Sequence, residues 1–190
     1  MNLVDRVKNI LLTPSTEWPV IDAEAETTGS LYTGYIIPLA AVPVIAWFLG
    51  MTLFGFRMAG LSVHVPLSRA FTSAVVMYVM WLVMVFVLGL IIDALAPTFG
   101  GTKNLIQALK VAAYSCTAGW VAGIFALIPA LAWLGILGLY GLYLLYLGLP
   151  ILMKSPKEKA VGYTVVVIVC AIVLTYLVGM VSNKVLIRAP

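Results

Sequence analysis

The sequence predicts an all-α integral membrane protein, a bundle of five transmembrane helices preceded by a short amphipathic N-terminal segment at the membrane interface. Three observations predict this. Hydrophobic residues make up 63% of the 190 and charged residues only 9%, whereas soluble domains carry roughly 25% charged residues. Mean hydropathy is +1.12. The few charges leave four long runs without Asp, Glu, Lys or Arg, at 31–56, 70–92, 111–153 and 160–183. A helix needs about 20 apolar residues to cross a ~30 Å hydrocarbon core, so the first, second and fourth runs each fit one crossing. The third has 43 residues and as one helix would be about 65 Å long. It must turn back, and Ile128-Pro129-Ala130 near its middle is the expected turn, because proline cannot donate to the helix ladder. A strand barrel is excluded, since its strands would alternate apolar and polar residues.

The elements follow in order. Residues 1–30 form the N-terminal segment and 31–190 one helical domain, with crossings expected at 31–54, 70–95, 105–128, 130–153 and 161–183. In Met1 to Leu12, the residues Leu3, Val4, Val7, Ile10 and Leu11 recur at helical spacing, with Asp5, Lys8 and Asn9 elsewhere around the axis. Such a helix is expected to lie in the headgroup layer. Thr13-Pro14 suits an N-cap followed by proline in the first turn. Trp18 is expected at interface depth, and Asp22, Glu24 and Glu26 form an acidic patch, read as a solvated turn or a docking surface for a basic partner. Pro38 and Pro43 kink the first crossing, and the loop after it holds the sole histidine, His64, an ordinary polar loop residue. Gly119 and Gly123, with Ser115 before them, are spaced by four. Small residues so spaced let helices approach closely in lipid, so both glycines are expected to face another helix. Cys116 and Cys170 fall inside crossings and read as apolar packing.

Few residues could carry chemistry. Asp93 is the one carboxylate beside a crossing, and ionisable groups at membrane depth are expensive. Lys103 and Lys110 flank the next crossing, so an Asp93–Lys110 ion pair is expected to fix the turn between the second and third helices. Tyr140, Tyr143 and Tyr146 recur every three residues. Their hydroxyls need partners, in interhelical hydrogen bonds or along a polar cavity. No GxSxG, HExxH or paired intramembrane carboxylate occurs, so the reading is not an enzyme and no cofactor or metal is implied.

Orientation follows from lysine and arginine. With the N-terminus inside, the inner segments hold Arg6, Lys8, Lys103, Lys110, Lys154, Lys157 and Lys159, and the outer ones Arg57, Arg69, Lys184 and Arg188, seven against four. Positive charge favours the cytoplasmic side, so a cytoplasmic N-terminus and an extra-cytoplasmic C-terminus are expected.

The stretch Asp93-Ala-Leu-Ala-Pro97-Thr-Phe-Gly100-Gly101, followed by Gln107-Ala-Leu-Lys110-Val-Ala-Ala-Tyr114, resembles bacterial members of the Yip family, named for interaction with Ypt/Rab GTPases. The segment from Gly138 through Gly141 to Pro150, Lys159-Ala-Val-Gly162-Tyr163, the Asn9 to Pro14 entry and Glu17-Trp18-Pro19 also fit. The resemblance covers nearly the whole chain. It implies five crossings, a cytoplasmic N-terminal region and an extra-cytoplasmic C-terminus. Eukaryotic relatives act in vesicle trafficking, but their second-helix motif reads Asp-Leu-Tyr-Gly-Pro where this chain has Asp93-Ala-Leu-Ala-Pro97. The fold therefore carries over and the trafficking role does not.

The functional expectation is a non-enzymatic scaffold or adaptor of the bacterial inner membrane, acting through protein or lipid contacts at its cytoplasmic face. The alternative is a small transporter or channel with a polar site near Asp93. Candidate partners are the lipid bilayer, a membrane or peripheral protein, and a second copy of the chain; nucleic acid is not expected.

Overall fold

A computed structural model of the protein describes residues 2–54, 56–58, 61–63 and 66–188, with side chains over 2–54 and 66–180. Two short helices open the chain, α1 (Leu3–Leu12) and α2 (Pro14–Ala23), joined at Thr13. Five helices long and apolar enough to cross a membrane follow: α3 (Thr28–Leu53), α4 (Leu67–Phe99), α5 (Leu105–Leu127), α6 (Pro129–Leu152) and α7, whose apolar span is Lys157–Met180 and which runs on to Arg188. Between α3 and α4, the strands β1 (Phe56–Met58) and β2 (Leu61–Val63) pair antiparallel. His64 lies outside the described residues, as do the side chains of Arg57, Lys184 and Arg188.

The core is built around α5. About two-thirds of its span is buried (67%), against 17–39% for the other four. Its sequence explains why. Ala108, Ala112, Ala113 and Ala118 are fully or almost fully covered, and such small side chains let α3, α4 and α6 close in on it. α7 packs on α4 and α6 and leaves most of its surface to lipid.

Each junction has a local cause. Thr27 and Ser30 form a reciprocal capping box that starts α3, with backbone-to-hydroxyl bonds of 2.9 and 3.1 Å. A wide π-turn at Tyr32–Ile36 then precedes Pro38. Pro43 lies inside α3 and is buried; a Cβ on Gly123 of α5 would fall 2.3 Å from the Pro43 Cβ. The Pro43 ring thus packs where the partner helix has no side chain to obstruct it. The long charge-free run breaks at Ile128, whose extended backbone separates α5 from α6, and Pro129 opens α6. Residues Pro129–Leu139 are wound as a 3₁₀ helix before α-helix resumes at Tyr140.

The turn between α4 and α5 explains the glycines of the Asp-Pro-Gly-Gly stretch. Pro97 sits in the single 3₁₀ turn Ala96–Phe99 that closes α4. Gly100 adopts φ +73°, the left-handed conformation that side chains disfavour. Gly101 then donates to Ala96 O at 2.8 Å, and a Cβ there would lie 2.6 Å from Met153 O. Thr102 N donates to the same Met153 carbonyl at 2.8 Å. The stretch is therefore a docking turn that ties the α4–α5 connection to the end of α6.

Candidate functional site

The polar groups of the described residues concentrate where α1 and α2 meet the ends of α3, α5 and α6. Arg6 of α1 is buried and bonds two carboxylates, Glu17 of α2 at 2.5 Å and Glu24 just beyond it. Its guanidinium carbon also lies 5.8 Å from the centroid of the Tyr114 ring, within cation–π reach. Burial works against the Arg6 charge, but the bond to Glu24 and the nearby carboxylates outweigh it and hold its pKa above the ordinary value.

Lys110 enters from α5. It is 1% exposed, and its Nζ donates to Ile21 O at 2.8 Å and Glu24 O at 2.5 Å. These carbonyls belong to the last turn and C-cap of α2. The last carbonyls of a helix lack backbone donors and carry partial negative charge, so Lys110 acts as a cap for α2 supplied by another helix. Two more bonds fix the same end. Gln107 Nε2 donates to Asp22 O at 3.1 Å, and Lys154, beyond the end of α6, pairs with Asp22 at 2.5 Å. Lys154 reaches it from a left-handed backbone, φ 55°.

Trp18 is fully buried beneath this layer. Its ring lies 2.7–2.9 Å from where a Cβ on Gly148 would be, and it meets Tyr114 edge-on at 6.1 Å. The Tyr114 ring in turn contacts Tyr35 at 4.4 Å, and the Tyr35 hydroxyl shares a 2.7 Å hydrogen bond with Thr117. Above these rings is a cavity of about 340 Å³ lined by Arg6, Glu24, Glu26, Tyr35 and Tyr114, with Asn2, Ser30 and Gly34 among its wall residues. Glu26 Oε2 is buried there without a hydrogen-bond partner. Burial pushes the Glu26 carboxyl up; Lys110 and Arg6 offset part of that shift and Glu24 adds to it.

This geometry corrects several expectations. Asp93 and Lys110 form no ion pair: Lys110 turns to the α2 carbonyls, while Asp93 Oδ1 is buried without a partner. The lysine instead meets carbonyls at the end of α2 that lack backbone donors. Tyr140, Tyr143 and Tyr146 lie away from the cavity beside Arg6 and Glu26; they are 37%, 48% and 39% exposed on the outer face of α6, with the Tyr140 and Tyr143 rings 5.4 Å apart. Trp18 is fully buried against Gly148 and Tyr114, and α1 turns its apolar stripe to the core, where Ile10 is fully buried with Leu3, Val7 and Leu11 packed around it. Of that stripe only Val4 is largely exposed. The Thr13 hydroxyl closes α1 by bonding Asn9 O at 3.1 Å and does not cap α2. Nor is the acidic patch free, since Asp22 and Glu24 are consumed by Lys154 and Arg6.

The remaining motif positions are structural contacts. Gly141 lets α6 approach α5, where a Cβ would fall 2.4 Å from Ser115 O. Gly119 has open space in its own Cβ direction, yet its backbone supports Gly138, whose Cβ would be 3.1 Å from Gly119 Cα. Tyr163 of α7 is fully buried, donates to Ile92 O and stacks on Phe99 at 4.8 Å, 6° from parallel; Gly162 leaves ordinary room beside Phe99.

Sequence reasoning missed Arg6, Glu17, Glu24, Glu26, Tyr35 and Tyr114 as one group. One signal was present: Lys110 is the only charge in Leu105–Leu127, and a lone cation inside an apolar helix calls for a buried acceptor.

Fold and site together define a polytopic helical membrane protein whose N-terminal helix pair is clamped to the bundle by buried charge. Residues 8–178 match the model of the Yip1 domain, and the chain belongs to that family. It is similar to the Inner membrane protein YohC of Escherichia coli strain K12, 30% identical over 157 residues that cover 80% of each chain. The YohC protein of Escherichia coli O6:H1 strain CFT073 matches to the same extent. No solved structure matches.

Proposed function

We propose that the protein is a non-enzymatic scaffold or adaptor of the bacterial inner membrane, with the α1–α2 face in the cytoplasm and protein or lipid contacts made there. The observation that carries this reading is the clamping of α2. Side chains from α1, α5 and the α6–α7 turn all bond its C-terminal end, which gives a fixed surface suited to docking. The filled interior supports it too, since buried side chains run continuously from Ile10 and Trp18 through α5 to Val167. The seven-to-four bias in lysine and arginine supports the orientation, and the name of the YohC relatives supports the membrane.

The second reading, a small transporter, rests on the unpartnered Asp93 oxygen. Two measurements separate the readings. Reconstituted in proton-tight vesicles, a scaffold gives no flux of protons or alkali cations above empty vesicles; flux lost in Asp93→Asn would establish the transporter instead. Cysteines introduced singly at Ser155 and after Ile187 test the orientation. Reaction of the Ser155 site alone with an impermeant reagent in intact cells would invert it.

A further inference from the structure

We infer that the cavity between α1, α3 and α5 is a binding site for an organic ammonium group, presented by an ethanolamine lipid headgroup or by a free amine. This goes beyond the scaffold reading and does not depend on it. The first argument is charge. Arg6, Glu24 and Glu26 line the cavity, with Glu17 bonded to Arg6 and Lys110 close to Glu26 behind the wall, three carboxylates against two cations. Arg6 is spent on Glu17 and Glu24, and the Lys110 ammonium bonds backbone carbonyls. The carboxylate left over is Glu26, whose buried Oε2 receives no donor. Asp22 does not alter the balance, being paired with Lys154.

The second argument is shape and chemistry. The cavity, about 340 Å³, is far larger than a bare ion needs, and the largely buried Tyr35 and Tyr114 are among its lining residues. Among the described residues no group of three His, Cys, Asp or Glu is placed to hold a metal ion. A carboxylate oxygen without a donor, in a cavity too large for a bare ion, is the arrangement that takes an alkylammonium, whose N–H groups supply charge-assisted hydrogen bonds. The third argument is access. Ser30 and Gly34 of α3 line the cavity and are exposed on the first turns of that membrane helix. A Cβ on Gly34 would meet nothing within 4 Å. An entrance at this level is open to a headgroup in the bilayer and to a small amine in water.

The test uses the full-length protein in nanodiscs of phosphatidylglycerol, which has no ammonium group. Phosphatidylethanolamine or free ethanolamine is added, and lipid retention is read by native mass spectrometry and unfolding by thermal shift. Ethanolamine lipid should be retained over phosphatidylglycerol by about fivefold or more and should raise the melting temperature. Glu26→Gln should abolish both effects while melting no lower than the parent without added lipid. Gly34→Leu, which narrows the entrance without touching the core, should reduce lipid retention in the same way. Stabilisation by free ethanolamine but not by the lipid, still lost in Glu26→Gln, assigns the site to a soluble amine. Retention of the two lipids in equal measure with no response to free ethanolamine, or a response that survives both substitutions, overturns the assignment.

Discussion

The Lys110 ammonium lies 2.5 Å from the backbone carbonyl of Glu24, so a lysine of the central membrane helix closes the end of a short helix that precedes the first crossing. This contact couples the N-terminal helices to the bundle. Its removal should show in both global stability and local exposure.

Lys110→Met should cost about 2–3 kcal/mol, because two buried carbonyls lose a charged donor and Glu24 and Glu26 lose a neighbouring cation. Lys103→Met, at an exposed position, should cost little. Thermal unfolding in detergent, combined with limited proteolysis across 1–27, checks this. Lys110→Met should be cut there faster than the parent, and equal cleavage would show that the cap does not hold α2.

The glycines of α5 and α6 should divide by what a methyl group meets. Gly141→Ala drives a carbon toward Ser115 O, and Gly148→Ala drives one into the Trp18 ring. Each should cost about 1–3 kcal/mol. Gly148→Ala should recover part of its loss when Trp18 is shortened to Leu, while backbone-opposed Gly141→Ala has no such rescue. Gly119→Ala, with open space ahead of it, should stay within about 0.5 kcal/mol of the parent. A destabilised Gly119→Ala would contradict this packing.

Asp93→Asn should leave the melting temperature unchanged or raise it, since the buried oxygen gives up no donor. The double substitution with Lys110→Gln should be additive within about 0.5 kcal/mol, the behaviour of residues that share no partner. A larger coupling would mean that the two interact after all.

Glu26 sets a pH dependence whose sign is fixed by its environment. Burial raises the folded-state value above the ordinary 4.5, so the folded protein binds the proton more tightly than the unfolded chain. Stability from this group is complete below about pH 4.5 and is lost as pH rises through the raised value. Arg6, Glu24 and Lys110 face it, and their charges are included in that direction. Without bound amine, Glu26→Gln should match the parent in acid and melt higher at neutral pH. Melting curves of both proteins from pH 4 to 8 compare them directly, and a gap independent of pH would assign the orphan oxygen a different state.

The five helices were legible because they rest on one-dimensional quantities. Charge-free runs measure crossing length, and Pro129 marks the only reversal that the 43-residue run permits. The Gly100-Gly101 turn was visible as a helix break, though its attachment to Met153 was not. The charged site was obscured by counting. Arg6 and Lys110 each scored as one positive residue on one side of the membrane, a sum blind to burial. Arg6 joins partners 11 and 18 positions away, and Lys110 joins partners 89 and 86 away. No local period encodes such separations. The tyrosines misled for the opposite reason: their spacing of three is local and strong, but spacing does not say whether a stripe points inward.

The winding of Pro129–Leu139 has an effect on the lipid side. A 3₁₀ helix advances about 2.0 Å per residue, against ~1.5 Å in an α-helix, and places every third side chain in line. Trp133, Ile136 and Leu139 are 69%, 61% and 60% exposed at that interval. They therefore stand in a straight keel along the helix, where an α-helix would have wound them into a spiral. Eleven residues so wound reach about 5 Å farther than they would as α-helix. The outer surface of α6 over this stretch is therefore a linear apolar edge.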